Sequence, residues 1–217
     1  MTPFTLERVT QPEIEVVTLG EMKVHLRGFA SVTEDDATIN EMIVAAREWA
    51  EDFTGRALID QTWRLNIGDV VAPFANVDSD TVRGVYTGVT MASADGGILL
   101  RKSPVLAITS IKSVDSLGAE TTLGAGTYQL READGKWPRV VPLSGSLSGN
   151  LRIVYRAGYA DRVASPGEEA DVVPARFKQA IKLYCEALYD RDEKMMEKLI
   201  EVAQNLIRPE RCDLQMA

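Results

Sequence analysis

The chain has 217 residues, 45% of them apolar and 26% charged, with 24 Lys and Arg against 32 Asp and Glu. That length and composition suit one domain carrying an insertion, or two small ones, with enough material for a core. A net charge of −8 argues against a protein whose task is to grip nucleic acid, because phosphate binding needs a basic face. No apolar run approaches the roughly 18 residues of a membrane-spanning helix.

The opening stretch "MTPFTLERVTQPEIEVV" has neither a basic n-region nor an apolar h-region, so no signal peptide is expected. In "TLGEMKVHLR", Thr18 is followed three residues later by Glu21, the pattern of a capping box at the start of a short helix. Leu19, Met22 and Leu26 would form its apolar side. After the loop "RGFASVTEDD", Thr33 and Asp36 repeat the cap signal, and acidic residues sit where the helix dipole favours them.

The spacing predicts a long helix from Asp35 to Thr54. Ile39, Met42, Ile43, Ala46, Trp49, Ala50 and Phe53 fall on one stripe, while Glu41, Arg47, Glu48, Glu51 and Asp52 fall mostly on the other face. Gly55 suits the position after the helix because it tolerates positive φ. Trp63, Leu65 and Ile67 then alternate with polar residues, which reads as a strand.

From about 60 to 157 the period is two. Turn signals at Gly96-Gly97, Ser103-Pro104, Asp115 to Gly118, Gly124 to Gly126 and Asp134-Gly135 separate short strands. The last strand, "NLRIVYRAGYA", puts Leu151, Ile153 and Tyr155 on one face and Arg152, Val154 and Arg156 on the other. Residues 69–94 read equally as a long hairpin or a mobile loop.

"ADRVASPGEEADVVPA" reads as a linker, with Pro174 suited to the first turn of a third helix. That helix carries Phe177, Ala180, Ile181, Tyr184, Ala187 and Leu188. "YDRDE" separates it from a fourth, with Met195, Leu199, Val202, Ala203 and Leu206, which Pro209 ends. The expected class is therefore α+β. Residues 18–58 and 172–207 would form a helical bundle, 59–158 an inserted antiparallel β-sheet or sandwich region, and 208–217 a C-terminal tail.

Chemistry is sparsely signalled. His25 is the only histidine and reads as a helix-surface or half-buried imidazole with a partner. Cys185 and Cys212 lie far apart with no close Cys or His neighbour, so neither a zinc site nor a disulfide framework is expected, and a reducing compartment is the simpler setting. No GxGxxG, GxxxxGK[ST] or GxSxG occurs, and "GAGTY" reads as a turn. Carboxylates in "TEDD" and "EWAEDF" could pair for metal-dependent hydrolysis, but a helix cap and a solvated helix face explain them more simply. We therefore expect no catalytic residue, metal or cofactor. Arg131, Lys136, Arg139, Arg152 and Arg156, with Trp137 nearby, give the sheet region a positive bias. They read as the outer face of a sheet or an electrostatic match to an acidic neighbouring subunit, with nucleic-acid contact as the alternative. Trp49, Trp63 and Phe53 are expected in the core.

"EDDATINEMIVAAREWAEDFTGRALIDQTWRL" resembles the start of phage head–tail connector proteins, also called head-completion or adaptor proteins. "LLRKSPVLAITSIKSVDSLGAETTLGAGTYQL", "RVVPL", "LRIVYRAGYA" and "VPARFKQAIKLYCEALYDRDE" resemble the later segments of the longer branch of that family, so the resemblance runs from about Leu19 to Glu193. It implies a structural role in the neck of a tailed phage or of a phage-like particle such as a gene transfer agent. Family members form a ring of about a dozen copies beneath the portal protein, extending the DNA channel. They also present a docking surface for a neck or tail-side protein such as a stopper or tail terminator. DNA would pass without specific binding, no membrane would be involved, and the protein would assemble in the bacterial cytoplasm. The C-terminal segment commonly reaches the portal in this family, which implies Arg208, Pro209, Arg211, Cys212, Leu214 and Met216 as portal contacts here. Trp137, Arg139, Arg152 and Arg156 are the candidate subunit contacts within the ring. Residues 1–55 hold eleven Asp and Glu against four Lys and Arg, a balance that would repel DNA phosphates from a conduit wall. The alternatives are another neck or tail-completion protein bound to the tail tube, or a hydrolase using Asp35, Asp36, Glu51 and Asp52.

Overall fold

The structure is a computed structural model, and it describes residues 4–26, 33–71, 97–143, 147–159, 172–190 and 193–212. The chain forms two compact units, one of Met1–Gln11 with Gln61–Gly158 and one of Pro12–Asp60 with Tyr159–Ala217. The class is α+β, with four α-helices and two antiparallel sheets among the described residues.

Among the described residues the β unit has eight strands: β1 (Phe4–Arg8), β2 (Gln61–Val71), β3 (Ile98–Leu99), β4 (Val105–Val114), β5 (Glu120–Thr122), β6 (Tyr128–Arg131), β7 (Arg139–Pro142) and β8 (Ser148–Ala157). One sheet has the order β1-β2-β8-β4-β5 and the other β3-β7-β6. The period-two pattern fixes the register. Trp63, Leu65 and Ile67 of β2 lie opposite Tyr155, Ile153 and Leu151 of β8, and all six are buried. A slip of one residue would turn this set to solvent, so the pairing is strongly specified. Ile111 of β4 joins them opposite Ile153. The Tyr155 hydroxyl donates to the Arg101 carbonyl, and burial raises its pKa well above the ordinary tyrosine value. The strand at Phe4–Arg8 has no counterpart in the sequence reading. Its five residues alternate in burial, but so short a stretch carries little signal by itself, and pairing with β2, Leu6 against Leu65, settles its conformation. From residue 72 to residue 94, the segment read as hairpin or loop lies outside the described residues, as does the linker from Ala160 to Asp171.

The helical unit contains α1 (Leu19–His25), α2 (Asp36–Thr54), α3 (Ala175–Tyr189) and α4 (Glu193–Ile207). The capping box at Thr18 forms as expected: Glu21 N–H donates to Thr18 Oγ1 at 3.2 Å, and Thr18 N–H donates to Glu21 Oε2 at 2.9 Å. The second cap does not form. Asp35 is the N-cap of α2 but makes no side-chain cap bond. It accepts from the Tyr189 hydroxyl at 3.0 Å, while Asp36 pairs with Lys23 at 2.7 Å. Tertiary partners outcompete the local bond. Gly55 closes α2 at φ 71°, as its position implied. Pro174 precedes α3 as its N-cap, one position before the one expected.

The stripe of α2 (Ile39, Ile43, Ala46, Ala50) packs with Phe177, Ala180, Ile181 and Cys185 of α3, Ala203 and Ile207 of α4, and Val16, Val17, Met22, Leu58 and Ile59. Trp49 stacks on Tyr184 with ring centroids 4.1 Å apart and on Phe53 at 5.8 Å. Two expectations are corrected. Arg47 and Glu51, assigned to the solvent face, are 1% and 2% exposed, because Glu15 and Leu58 cover that flank of α2 and bond to them. On α4, Met195 and Val202 are exposed, and the buried line runs through Ala203 and Ile207.

Candidate interaction surfaces

The C-terminal segment is tied to the end of α2. Arg208–Glu210 form a 3-10 turn after α4. Glu210 is gripped twice: Arg56 donates to its carbonyl at 2.9 Å and pairs with its carboxylate at 3.2 Å, and Arg176 pairs with the other carboxylate oxygen at 2.9 Å. Cys212 N–H donates to the Thr54 carbonyl at 2.7 Å, and the Arg211 guanidinium lies 4.9 Å from the Phe53 ring centroid. Of the six residues expected to reach a portal, Arg211 and Cys212 are thus engaged within their own chain. Arg208 and Pro209 are exposed, and Leu214 and Met216 lie outside the described residues. No local pattern in the sequence marks the anchoring residues Arg56, Arg176 and Glu210, since only the fold brings positions 56 and 210 together.

The outer face of the large sheet is polar and cationic. Arg64 and Asn66 of β2, Arg152 and Arg156 of β8 and Lys112 of β4 share it. Arg64 pairs with Glu7 at 3.3 Å, Arg152 donates to Asn66 at 3.0 Å and pairs with Glu120, and Lys112 pairs with Glu120 at 2.8 Å. The hydrogen bond from Lys112, with Arg152 beside it, holds the Glu120 pKa below the ordinary carboxylate value. Of the four candidate subunit contacts, Arg152 and Arg156 share this face. Arg139 stands on β7 of the smaller sheet, paired with Glu132 at 3.2 Å, and Trp137 is half-buried in the turn before it.

The carboxylates weighed for hydrolysis do not converge. Asp35 and Asp36 take the partners given above and Asp52 is exposed. Glu51 is buried against Arg47 Nη1 at 2.8 Å and accepts from the Leu58 N–H at 2.9 Å. Among the described residues, no three His, Cys, Asp or Glu side chains are grouped to hold a metal. His25 Nε2 lies 2.9 Å from Glu186 Oε2, a local tie between α1 and α3. Cys185 and Cys212 are both free thiols. Burial pushes the Cys185 thiol pKa up to about 11, so it is an inert core residue.

Comparison with solved structures decides what fold this is. A chain in the virion of a native gene transfer agent particle superposes with a TM-score of 0.64, at 23% identity, over 91% of this chain and 93% of that one. The fold is that of a gene transfer agent particle protein. Chains in two neck structures agree. For the neck of an empty particle computed with C6 symmetry the TM-score is 0.60 at 23% identity, and for the native neck computed with C12 symmetry it is 0.59 at 22% identity; each pair covers 92% of this chain and 94% of the other. No protein-family model matches the chain, and no curated protein does.

Proposed function

We propose that this chain is a non-enzymatic structural component of the neck of a tailed phage or phage-like particle. It assembles as a ring under the portal, extends the DNA channel, and offers the docking surface for the next neck or tail-side protein. The observation that carries this reading is the shared fold with gene transfer agent neck chains along nearly the whole length of both partners. Charge supports it. The helical unit holds 23 acidic against 13 basic residues, and such a surface repels phosphates, so DNA would slide past without sticking. Exposed Arg208 and Pro209, with Leu214 and Met216 beyond them, are the proposed portal contacts. Trp137, Arg139, Arg152 and Arg156 are proposed to meet a neighbouring copy.

The test is deletion of the protein from particle-producing cells, which are then complemented with the wild-type chain. Particles lacking it should leak packaged DNA or fail to join tails, and complementation should restore both. Tailed, DNA-filled, functional particles made in its absence would refute the role.

A further inference from the structure

Two consecutive cations, Arg101 and Lys102, lie between β3 and β4 and meet aromatic rings of the large sheet. Residues opposite each other on paired strands share a face, so Phe4, Leu6 and Arg8 of β1 stand on the same side as Trp63 and Tyr155. The Arg101 guanidinium is 4.8 Å from the Phe4 ring centroid. Lys102 Nζ is 5.2 Å and the Arg8 guanidinium 5.6 Å from that of Trp63. The Tyr155 hydroxyl, bonded to the Arg101 carbonyl, holds the segment in place. Lys102 has φ 65°, a left-handed conformation that costs a residue with a side chain and persists only where packing enforces it.

This corner is rich in donors and short of acceptors. Among the described residues Arg101 meets no carboxylate. Its guanidinium has the Phe4 ring, and its buried Nε has no hydrogen-bond partner. Burial lowers the Arg101 pKa below the ordinary arginine value, and the Tyr155 hydroxyl is the group that opposes the shift. Trp63 is 6% exposed, and its indole N–H also lacks an acceptor. A buried donor without an acceptor and a desolvated cation without an anion both cost stability. One kind of guest relieves both: a group that brings oxygen acceptors and negative charge.

We propose that Arg101 anchors a site for a carboxylate presented by an acidic peptide segment of another protein subunit. The planar guanidinium fork takes both oxygens of one carboxylate, and the Phe4 ring against it fixes the plane of the fork. Arg8, which also donates to Gln11 at 2.9 Å, adds positive potential at the Trp63 side. A protein carboxylate is favoured over nucleic-acid phosphate on charge. A strand carries a charge at every residue, which a chain of net charge −8 repels, and its binding needs a row of cations in place of one guanidinium. The site goes beyond the ring reading and does not depend on it.

The test uses the free full-length chain, labelled with nitrogen-15, and reads two NMR signals: the Arg101 Nε–H and the Trp63 indole N–H. The indole signal is the one lost in Trp63→Phe. A tetraglutamate peptide is titrated at constant ionic strength, and an oligothymidylate of equal charge is titrated in parallel. The expected result is a saturable shift of both signals with the peptide, at a Kd that Arg101→Gln raises at least about tenfold and Arg101→Lys raises less. Signals that do not move, or a peptide Kd unchanged in Arg101→Gln, would overturn the site. Tighter binding of the oligothymidylate at the same two signals would overturn the carboxylate and assign the corner to phosphate. Unchanged circular dichroism and Tm confirm that the variants fold, and Arg101→Lys, which keeps the charge and loses the fork, carries the test if Arg101→Gln does not fold.

Discussion

At the scale of single residues, the most consequential side chain is Arg47. Burial alone would lower its pKa, but the carboxylates of Glu51 and Glu15 outweigh that and hold it above the ordinary arginine value. The cost falls on Glu15, whose pKa burial raises despite Arg47. A buried charge of this kind tolerates joint replacement better than loss of one partner. Glu51→Ala should destabilise the protein by roughly 1–3 kcal/mol, because it takes one of Arg47's carboxylates away, leaving Glu15, and orphans the buried Leu58 N–H. Arg47→Leu combined with Glu51→Leu should cost markedly less than the two single changes summed, a difference that urea denaturation can measure. Glu21 offers a pH test. Its hydrogen bond with the Thr18 backbone holds its pKa below the ordinary 4.5. The unfolded chain therefore binds the proton more readily. The capping contribution is complete above the unfolded value and disappears as pH falls through the folded one. Between about pH 5 and pH 3 the Tm of wild type should fall more than that of Glu21→Gln.

Elements differ in how far they could be read from the chain. α2 was legible because nineteen residues carry a regular stripe and end in a glycine, and β2 and β8 because alternation persists through several residue pairs. β1 was not, since five residues become a strand only beside β2. The burial of Arg47 and Glu51 was equally hidden. Helical periodicity says where a charge lies on the wheel, not that Glu15 and Leu58 will cover it. The anchoring of the C-terminal segment depends on contacts spanning more than 150 positions, such as Arg56 with Glu210, and no local pattern announces those. Two substitutions probe that anchor. At Gly55 an added Cβ would sit 3.6 Å from Cys212, ordinary contact, so the penalty of Gly55→Ala comes from φ 71° and should be about 1 kcal/mol. Glu210→Ala removes the carboxylate that joins Arg56 and Arg176. It should cost roughly 1–3 kcal/mol and speed hydrogen exchange at the Cys212 amide, with α2 exchange little changed.

For the whole molecule, the two units divide the charge unequally: 11 basic against 9 acidic residues in the β unit, 13 against 23 in the helical unit. The net charge of −8 thus comes from the helical half alone. Neither unit is a continuous piece of chain. The helical core needs Ile39, Ile43 and Ala46 from before β2 and Phe177, Ala180 and Ile181 from after β8, so long-range contacts must form before that core exists. This argues for folding in which the β segment brings α2 and α3 within reach. A chain ending at residue 158 retains α1 and α2 but loses every helix that covers their apolar stripe. It should keep the strand signal in far-UV circular dichroism, lose most of the helical signal, and bind a hydrophobic dye. Native-like helicity in that truncated chain would show that α2 is stable without α3 and that the closure of the bundle across the strands contributes little to its stability.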